Sequence, residues 1–248
     1  MRSAAAVQVM FGRIVRRYDT MNRLMTGGRD GAWRRRAVRL ALQGTEFGAA
    51  RVLDVATGTG DLALALADGG AESVVGSDFA APMIQAATVK QRSRVSTNSG
   101  RVDWLVADAL RLPFPEDVFD ACTVSFGLRN MADYGAGLRE MVRVLRPGGR
   151  LVCLELTPYR RAILRYMFQW YFSRVVPIAG WVLSGDREAY RYLPKSVEAF
   201  PDAATLSAMM RASGLEDVSY RLLGAGTVAL HVGRKAEIGQ SGVHPLNR

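Results

Sequence analysis

Three aspartates and a glycine turn carry the most chemistry in this chain. Val52-Leu53-Asp54-Val55-Ala56-Thr57-Gly58-Thr59-Gly60 reads as a strand that turns tightly into a helix. Gly58 and Gly60 lack Cβ atoms, so the backbone turns sharply and a ligand can approach it closely. Gly58-x-Gly60-x-x-Ala63 also satisfies a loose dinucleotide fingerprint, so NAD is one reading. Asp54 favours another, because a carboxylate there is awkward for a pyrophosphate and suits a ligand carrying a cation. Asp78 ends the second strand, where a carboxylate can accept both hydroxyls of a ribose. Asp108 follows the third strand in Ala107-Asp108-Ala109, placed to accept from an adenine amino group. Any one of these acids could be a helix cap or a loop carboxylate. Three at successive strand ends lie on the carboxyl edge where open α/β sheets bind ligands. Together they fit an ammonium, a ribose diol and an adenine without a phosphate, which describes S-adenosylmethionine.

These acids need a sheet to position them. Residues 51–55, 73–77, 102–106, 119–125 and 150–156 read as strands. Helices are predicted over 61–67 and 80–90, the first ended by Gly69-Gly70. Leu138, Met141, Val142 and Leu145 share one helical face, and Pro147-Gly148-Gly149 stops that helix. The βαβα rhythm predicts an α/β fold with a parallel sheet covered on both faces. Leu206, Met209 and Met210 predict a helix capped by Gly214. Strands 218–222 and 227–232, joined by Gly224-Ala225-Gly226, form a hairpin, so one C-terminal strand runs antiparallel.

The 248 residues suffice for a large core, and 49% hydrophobic with 23% charged residues excludes wholesale disorder. No apolar run reaches the length of a membrane span. Two cysteines, Cys122 and Cys153, do not make a secreted disulfide scaffold, which points to the cytoplasm. The net charge is +10, and only three of the 33 basic residues are lysines. Residues 1–50 carry +7, residues 51–156 carry −2 and residues 157–248 carry +5. A uniform coding bias towards arginine does not by itself exclude net charge from the middle.

Further motifs run along the chain. Arg17-Tyr18-Asp19-Thr20-Met21-Asn22-Arg23-Leu24-Met25, Trp33-Arg34-Arg35, Ser125-Phe126-Gly127-Leu128-Arg129-Asn130, Ala189-Tyr190-Arg191-Tyr192-Leu193-Pro194-Lys195-Ser196 and Val228-Ala229-Leu230-His231 together resemble the UbiE/MenG C-methyltransferases of menaquinone and ubiquinone biosynthesis. The resemblance spans roughly residues 9–234. It implies a class I methyltransferase fold, Rossmann-like, with a mostly parallel seven-stranded sheet, helices on both faces and an antiparallel C-terminal strand. It implies an N-terminal helical segment over 1–48 and a methyltransferase domain over 49–235 with a helical lid at 157–200; the low apolar content of 236–248 reads as a disordered tail. Thr59, Asp78, Asp108, Ala109 and Ser125 carry over as contacts to S-adenosylmethionine, beside Asp54, Gly58 and Gly60; no metal is expected. The family often has Asn where Asp108 stands, and either side chain accepts from an adenine amino group.

The implied reaction methylates a ring carbon of a reduced isoprenoid quinone precursor, demethylmenaquinol, with a ubiquinone-pathway benzoquinol as the alternative. A quinone ring is electrophilic, so the substrate is the quinol, and a phenol with a pKa of about 10 needs a base or a stabilised phenolate. Arg129 and Asn130 follow the fourth strand, and arginine, always protonated, fits electrostatic work. His231 is a candidate base, although a lone histidine on an apolar strand also fits a structural role. Tyr190 is a candidate hydroxyl relay, or packs under the lid.

The basic flanks suit a lipid substrate. Ile163, Leu164, Met167, Phe168, Tyr171, Phe172 and Val175 have helical spacing, with Arg161 and Arg165 opposite, and no acid lies between Glu155 and Asp186. Such a segment fits an interfacial helix at the inner face of a membrane, or a helix packed on its own core. The expected partners are a lipophilic quinol, a membrane surface, and a second copy or a biosynthetic complex, with no nucleic acid. An RNA or other small-molecule methyltransferase, a NAD-dependent oxidoreductase and a non-catalytic cofactor-binding subunit are the rivals.

Overall fold

The computed structural model describes residues 15, 19–20, 22–23, 26–94, 100–158 and 196–237. The expected segment 160–176, most of the lid and Tyr190 lie outside the described residues, as do Tyr18 and residues 238–248.

The elements are α1 (Asp30–Ala41), β1 (Ala50–Val55), α2 (Asp61–Asp68), β2 (Ala71–Asp78), α3 (Ala81–Arg92), β3 (Arg101–Val106) and β4 (Phe119–Ser125). A 3₁₀ turn (Leu128–Asn130), α4 (Tyr134–Val144), β5 (Leu145–Leu156), α5 (Ala203–Ala212), β6 (Leu215–Leu223) and β7 (Val228–Lys235) follow. The seven strands form one sheet in the order β3-β2-β1-β4-β5-β7-β6. Strands β1 to β5 pair in parallel. Strand β7 runs antiparallel to both β5 and β6, as the glycine hairpin predicts.

Both faces of the sheet are covered, so its central strands are apolar on both sides. Val52 and Ala121 pack with Trp33 and Ala37 of α1 and Leu62 and Leu66 of α2. Leu53 and Cys122, the next residues along, pack with Leu138 and Met141 of α4 and Leu206 and Met210 of α5. Helix α1 therefore shares a core with the sheet, and part of the expected N-terminal segment belongs to the main domain.

One helix ends earlier than its periodicity predicts. Helix α4 stops at Val144, and Leu145 is already extended, with φ −73° and ψ 140°. Pro147 pushes the residue before it away from helical geometry, and Pro147-Gly148-Gly149 falls inside β5, which starts at Leu145 rather than Arg150. The Lys235 Nζ donates to the carbonyls of Leu145 (2.7 Å) and Arg143 (3.2 Å), supplying partners at this helix end.

Gly60 shows why the glycine turn needs its spacing. Its φ is +83°, and an added Cβ would lie 2.3 Å from the Trp104 indole. The missing side chain makes room for Trp104 of β3, whose Nε1–H donates to Gln91 Oε1 of α3 at 2.6 Å. The space on the Cβ side of Gly60 is filled from within by Trp104. Gly60→Ala is expected to destabilise the fold by about 2–3 kcal/mol through overpacking and a strained φ. Urea titrations of both proteins measure this, and an unchanged midpoint would contradict the packing.

Candidate active site

The strand order reverses between β1 and β4, since β2 lies beyond β1 and β5 beyond β4. Open α/β sheets bind ligands at the carboxyl ends of such a pair. Asp54 of β1 sits there, 1% exposed. Its Oδ1 accepts from Thr123 Oγ1 of β4 and its Oδ2 from Thr57 Oγ1 of the glycine turn, each at 2.6 Å. Burial pushes the Asp54 carboxyl up to about 6, with the Thr123 and Thr57 hydroxyls and the Arg34 charge opposing the rise. Beyond the strand ends, Ala56 and Phe126 adopt φ of +52° and +57°. Non-glycine residues rarely occupy this region, and such strain gathers at functional sites. Gly127 lets the two loops meet, because a Cβ there would lie 2.4 Å from that of Ala56.

Asp78 joins this crevice from β2. Its Oδ2 accepts from the Gly58 N–H at 2.8 Å and its Oδ1 from the Ala80 N–H at 2.9 Å. Burial raises its pKa, against those backbone hydrogen bonds. Asp108 lies close by in register, since Val106 pairs with Asp78 and Ala107 N–H donates to the Asp78 carbonyl. It is exposed, and its Oδ1 accepts from the Leu110 N–H at 2.9 Å. Ala109 follows, half-buried. The loop after Asp108 is pinned from α4. Glu140 accepts from the Leu112 N–H at 2.8 Å, and Arg143 donates to the carbonyls of Phe114 and Leu112. Hydrogen bonds from Arg143 hold the Glu140 carboxyl below its ordinary range.

Ser125 ends β4, and its buried Oγ has no hydrogen-bond partner. Arg129 Nε and Asn130 Oδ1 are likewise buried and unpartnered. Buried polar atoms are normally satisfied, so each exception calls for a ligand, a water or a role. The Arg129 guanidinium is in an ion pair, a role its residue type also allows, with a partner that the sequence does not identify. Its Nη1 pairs with Glu155 Oε1 at 2.5 Å and donates to the Phe126 carbonyl at 2.6 Å. Glu155 is 1% exposed and also accepts the backbone N–H groups of Arg129 and Leu156. Arg129 is thus held by a structural ion pair, which limits the charge it can offer a substrate.

Two other candidates have partners within the protein. The Thr59 hydroxyl donates to Asp19 Oδ1 at 2.6 Å and accepts from Lys90 Nζ at 2.9 Å, so it is committed within the protein. His231 is fully buried on β7, opposite Cys153 and four residues below the Leu156–Val228 pair at the sheet edge, counting both. Its Nε2 lies 2.9 Å from the Ala203 carbonyl under α5, and its ring stacks at a tilt on Tyr220. His231 is therefore a buried residue packed under α5, as the structural alternative has it, and its Nδ1 is a further buried atom without a partner.

The structure brings Asp54, Gly58, Asp78, Ser125, Arg129 and Asn130 to one edge, with Asp108 and Ala109 beside it. Thr123, Glu155, Asp19 and Lys90 support these residues; Thr123 and Glu155 have no local signal, Asp19 falls in the Arg17–Met25 motif and Lys90 is one of three lysines. Phe79 and Val106, 40% and 51% exposed, add apolar surface beside Asp78 and Asp108. Among the described residues no cluster of three or more His, Cys, Asp or Glu could hold a metal ion.

The model of the ubiE/COQ5 methyltransferase family matches residues 1–235. A Thermus thermophilus demethylmenaquinone methyltransferase is 52% identical over 226 residues, covering 90% of this chain and 99% of the relative. A Geobacter sulfurreducens ubiquinone/menaquinone biosynthesis C-methyltransferase is 41% identical over 231 residues, covering 92% and 88%. Among solved structures, the [4+2]-cyclase SpnF shares the fold with a TM-score of 0.69 at 22% identity, covering 95% of this chain and 98% of its own.

Two measurements check this geometry. Glu155→Ala leaves Arg129 buried without its counter-ion and is expected to cost about 3–5 kcal/mol in urea unfolding. Adding Arg129→Met should recover much of that loss, and a Glu155→Ala protein of wild-type stability would refute the pair. Burial lowers the pKa of His231, against the Ala203 hydrogen bond. The unfolded chain, at about 6.5, then binds the extra proton first, so stability falls as pH drops through that value towards the folded pKa. The difference in unfolding free energy between pH 7 and pH 5 should shrink in His231→Gln, and identical pH slopes would contradict a neutral buried imidazole.

Proposed function

The chain belongs to the ubiE/COQ5 methyltransferase family, and on that premise we propose that it methylates a ring carbon of demethylmenaquinol, with S-adenosylmethionine as donor. The observation that carries the substrate is the relative named demethylmenaquinone methyltransferase, 52% identical across 99% of its own length. The Geobacter relative, named for both quinone pathways, supports a benzoquinol as the second reading.

The residues at the sheet edge fit the donor. Asp54 supplies a buried carboxylate for a cation, Asp78 one for a ribose diol, and Asp108 an acceptor for an adenine amino group. Phe79 and Val106 offer apolar contact beside them, and the unpartnered Ser125 Oγ offers a further polar contact. When bound, S-adenosylmethionine supplies an electrophilic methyl group on a sulfonium. The protein's own part is to hold the quinol ring in line with that methyl and to favour its phenolate, which is where positioning and preorganised dipoles lower the barrier.

The loop after β4 is suited to that task. The Arg129 Nε–H is a buried donor for a phenolate oxygen, and Asn130 Oδ1 is a buried acceptor for the quinol hydroxyl. Arginine keeps its proton, so Arg129 stabilises charge and does not remove a proton. Glu155 holds the guanidinium in place from behind. Phe126 and Leu128, buried in the same loop, pack beside these groups.

A lipophilic quinol requires access to a bilayer. The basic flanks, +7 over 1–50 and +5 over 157–248, suit a peripheral seat on an anionic membrane surface at the cytoplasmic face, with or without further subunits. No described helix is long and apolar enough to cross a membrane.

One assay tests both parts. Labelled S-adenosylmethionine is supplied with demethylmenaquinone in anionic vesicles, with and without dithionite. Label should enter the ring only with reductant, and the rate should fall several-fold as salt rises. Equal transfer to the oxidised quinone would refute the quinol mechanism, and a salt-independent rate would refute the surface seat.

A further inference from the structure

We propose that Lys90 is a positioning residue, which together with Asp19 fixes the glycine turn through the Thr59 hydroxyl and so sets the affinity for the methyl donor. This rests on the reading that the turn receives S-adenosylmethionine.

In Gly58-Thr59-Gly60, Thr59 is the one residue with a side chain by which the turn can be gripped. Gly58 and Gly60 adopt φ of +58° and +83°, a conformation with many competing alternatives in a free glycine segment. The turn is held from both sides. On one side the Asp78 carboxylate takes the Gly58 N–H at 2.8 Å. On the other, Thr59, 4% exposed, gives its hydroxyl proton to Asp19 Oδ1 and accepts from Lys90 Nζ. Asp19 stands forty positions before Thr59, in the segment ahead of α1. Lys90 is near the end of α3. Neither lies at the strand ends that form the crevice, so both act on the crevice only through the turn they contact.

The choice of lysine is itself informative. Lys90 Nζ reaches three oxygens, Asp19 Oδ2 at 2.6 Å, Asp61 Oδ1 at 2.7 Å and Thr59 Oγ1 at 2.9 Å. A tetrahedral ammonium has three N–H donors for three convergent acceptors, whereas a guanidinium spreads its donors in a plane. This chain writes thirty of its 33 basic residues as arginine. Lys235 shows the same geometry, with Asp117 Oδ1 and the carbonyls of Leu145 and Arg143 around one ammonium. Both described lysines stand where three oxygens converge on one ammonium.

The Lys90, Asp19 and Asp61 side chains are 26%, 35% and 33% exposed, so the ion pairs add little to global stability. Their effect should appear in binding instead. Calorimetric titration with S-adenosylmethionine compares the full chain with Lys90→Met, Lys90→Arg, Asp19→Asn and the Asp19→Asn/Lys90→Met double variant. Both single losses should weaken binding at least tenfold, with thermal midpoints within a few degrees of the parent. Lys90→Arg should not restore affinity, and the double variant should bind about as weakly as either single one. Lys90→Met and Asp19→Asn binding within twofold of the parent would overturn the clamp. Parent-like binding by Lys90→Arg would overturn the three-donor argument. A parent chain that binds no S-adenosylmethionine would overturn the cofactor reading as well.

Discussion

A carboxylate removed from water at the centre of a parallel sheet must have its hydrogen bonds met, and Asp54 meets this constraint in a way that organises everything around it. Leaving such a group unpaired would cost several kcal/mol or force it neutral. Thr123 supplies one partner from the neighbouring strand and Thr57 the other from the turn. These two bonds tie β1 to β4 where the strand order reverses and draw the glycine turn back over the strand ends. Ala56 and Phe126 then accept left-handed backbone conformations so that the two loops can pass each other. Burial pushes the Asp54 carboxyl up to about 6, because its charged form is poorly solvated. A cation seated against it would relieve that condition, which is a reason for ligand and turn to stabilise one another.

The charge distribution follows the same division of labour. The middle of the chain holds the buried acids and is nearly neutral, while the flanks carry the excess. Part of the described arginine is spent internally. Arg34 pairs with Asp30 and Asp61, Arg143 with Glu140, and Arg146 with Asp120. The excess sits in the segments before and after the strands that carry the buried acids, away from Asp54 and Asp78 along the sequence.

Much of the frame can be read from sequence because local rules decide it. β-branched and apolar runs place the first four strands within two residues of their observed ends. Glycines mark the turn into α2 and the hairpin between β6 and β7. Asp54, Asp78 and Asp108 could be found because strand ends are local features and the carboxyl edge follows from parallel pairing. The site's supporting partners could not. Thr123 stands 69 positions from Asp54, Glu155 26 from Arg129 and Asp19 40 from Thr59. No periodicity links such pairs; only the fold brings them together. His231 shows the complementary case. Its residue type suggests catalysis or a structural role alike, and only its register opposite Cys153 shows that it is buried among the strands. The end of α4 was missed because the apolar spacing continues one residue into β5, where Leu145 serves a strand instead.

The distribution of unsatisfied atoms carries the argument one step further. Among the described residues, four buried side-chain atoms lack a partner, and three of them belong to Ser125, Arg129 and Asn130. Their clustering in one short loop is not what random packing defects would produce. The neighbouring charge, Glu155, is by contrast fully engaged, with Arg129 and two backbone N–H groups around it. The ion pair fixes the loop while its remaining polar atoms stay unmatched. A site built this way meets the cost of desolvation during folding, so that less reorganisation is needed when charge develops on a substrate oxygen. The buried pair is then better understood as the rigid backing of a polar surface than as a source of stability in its own right.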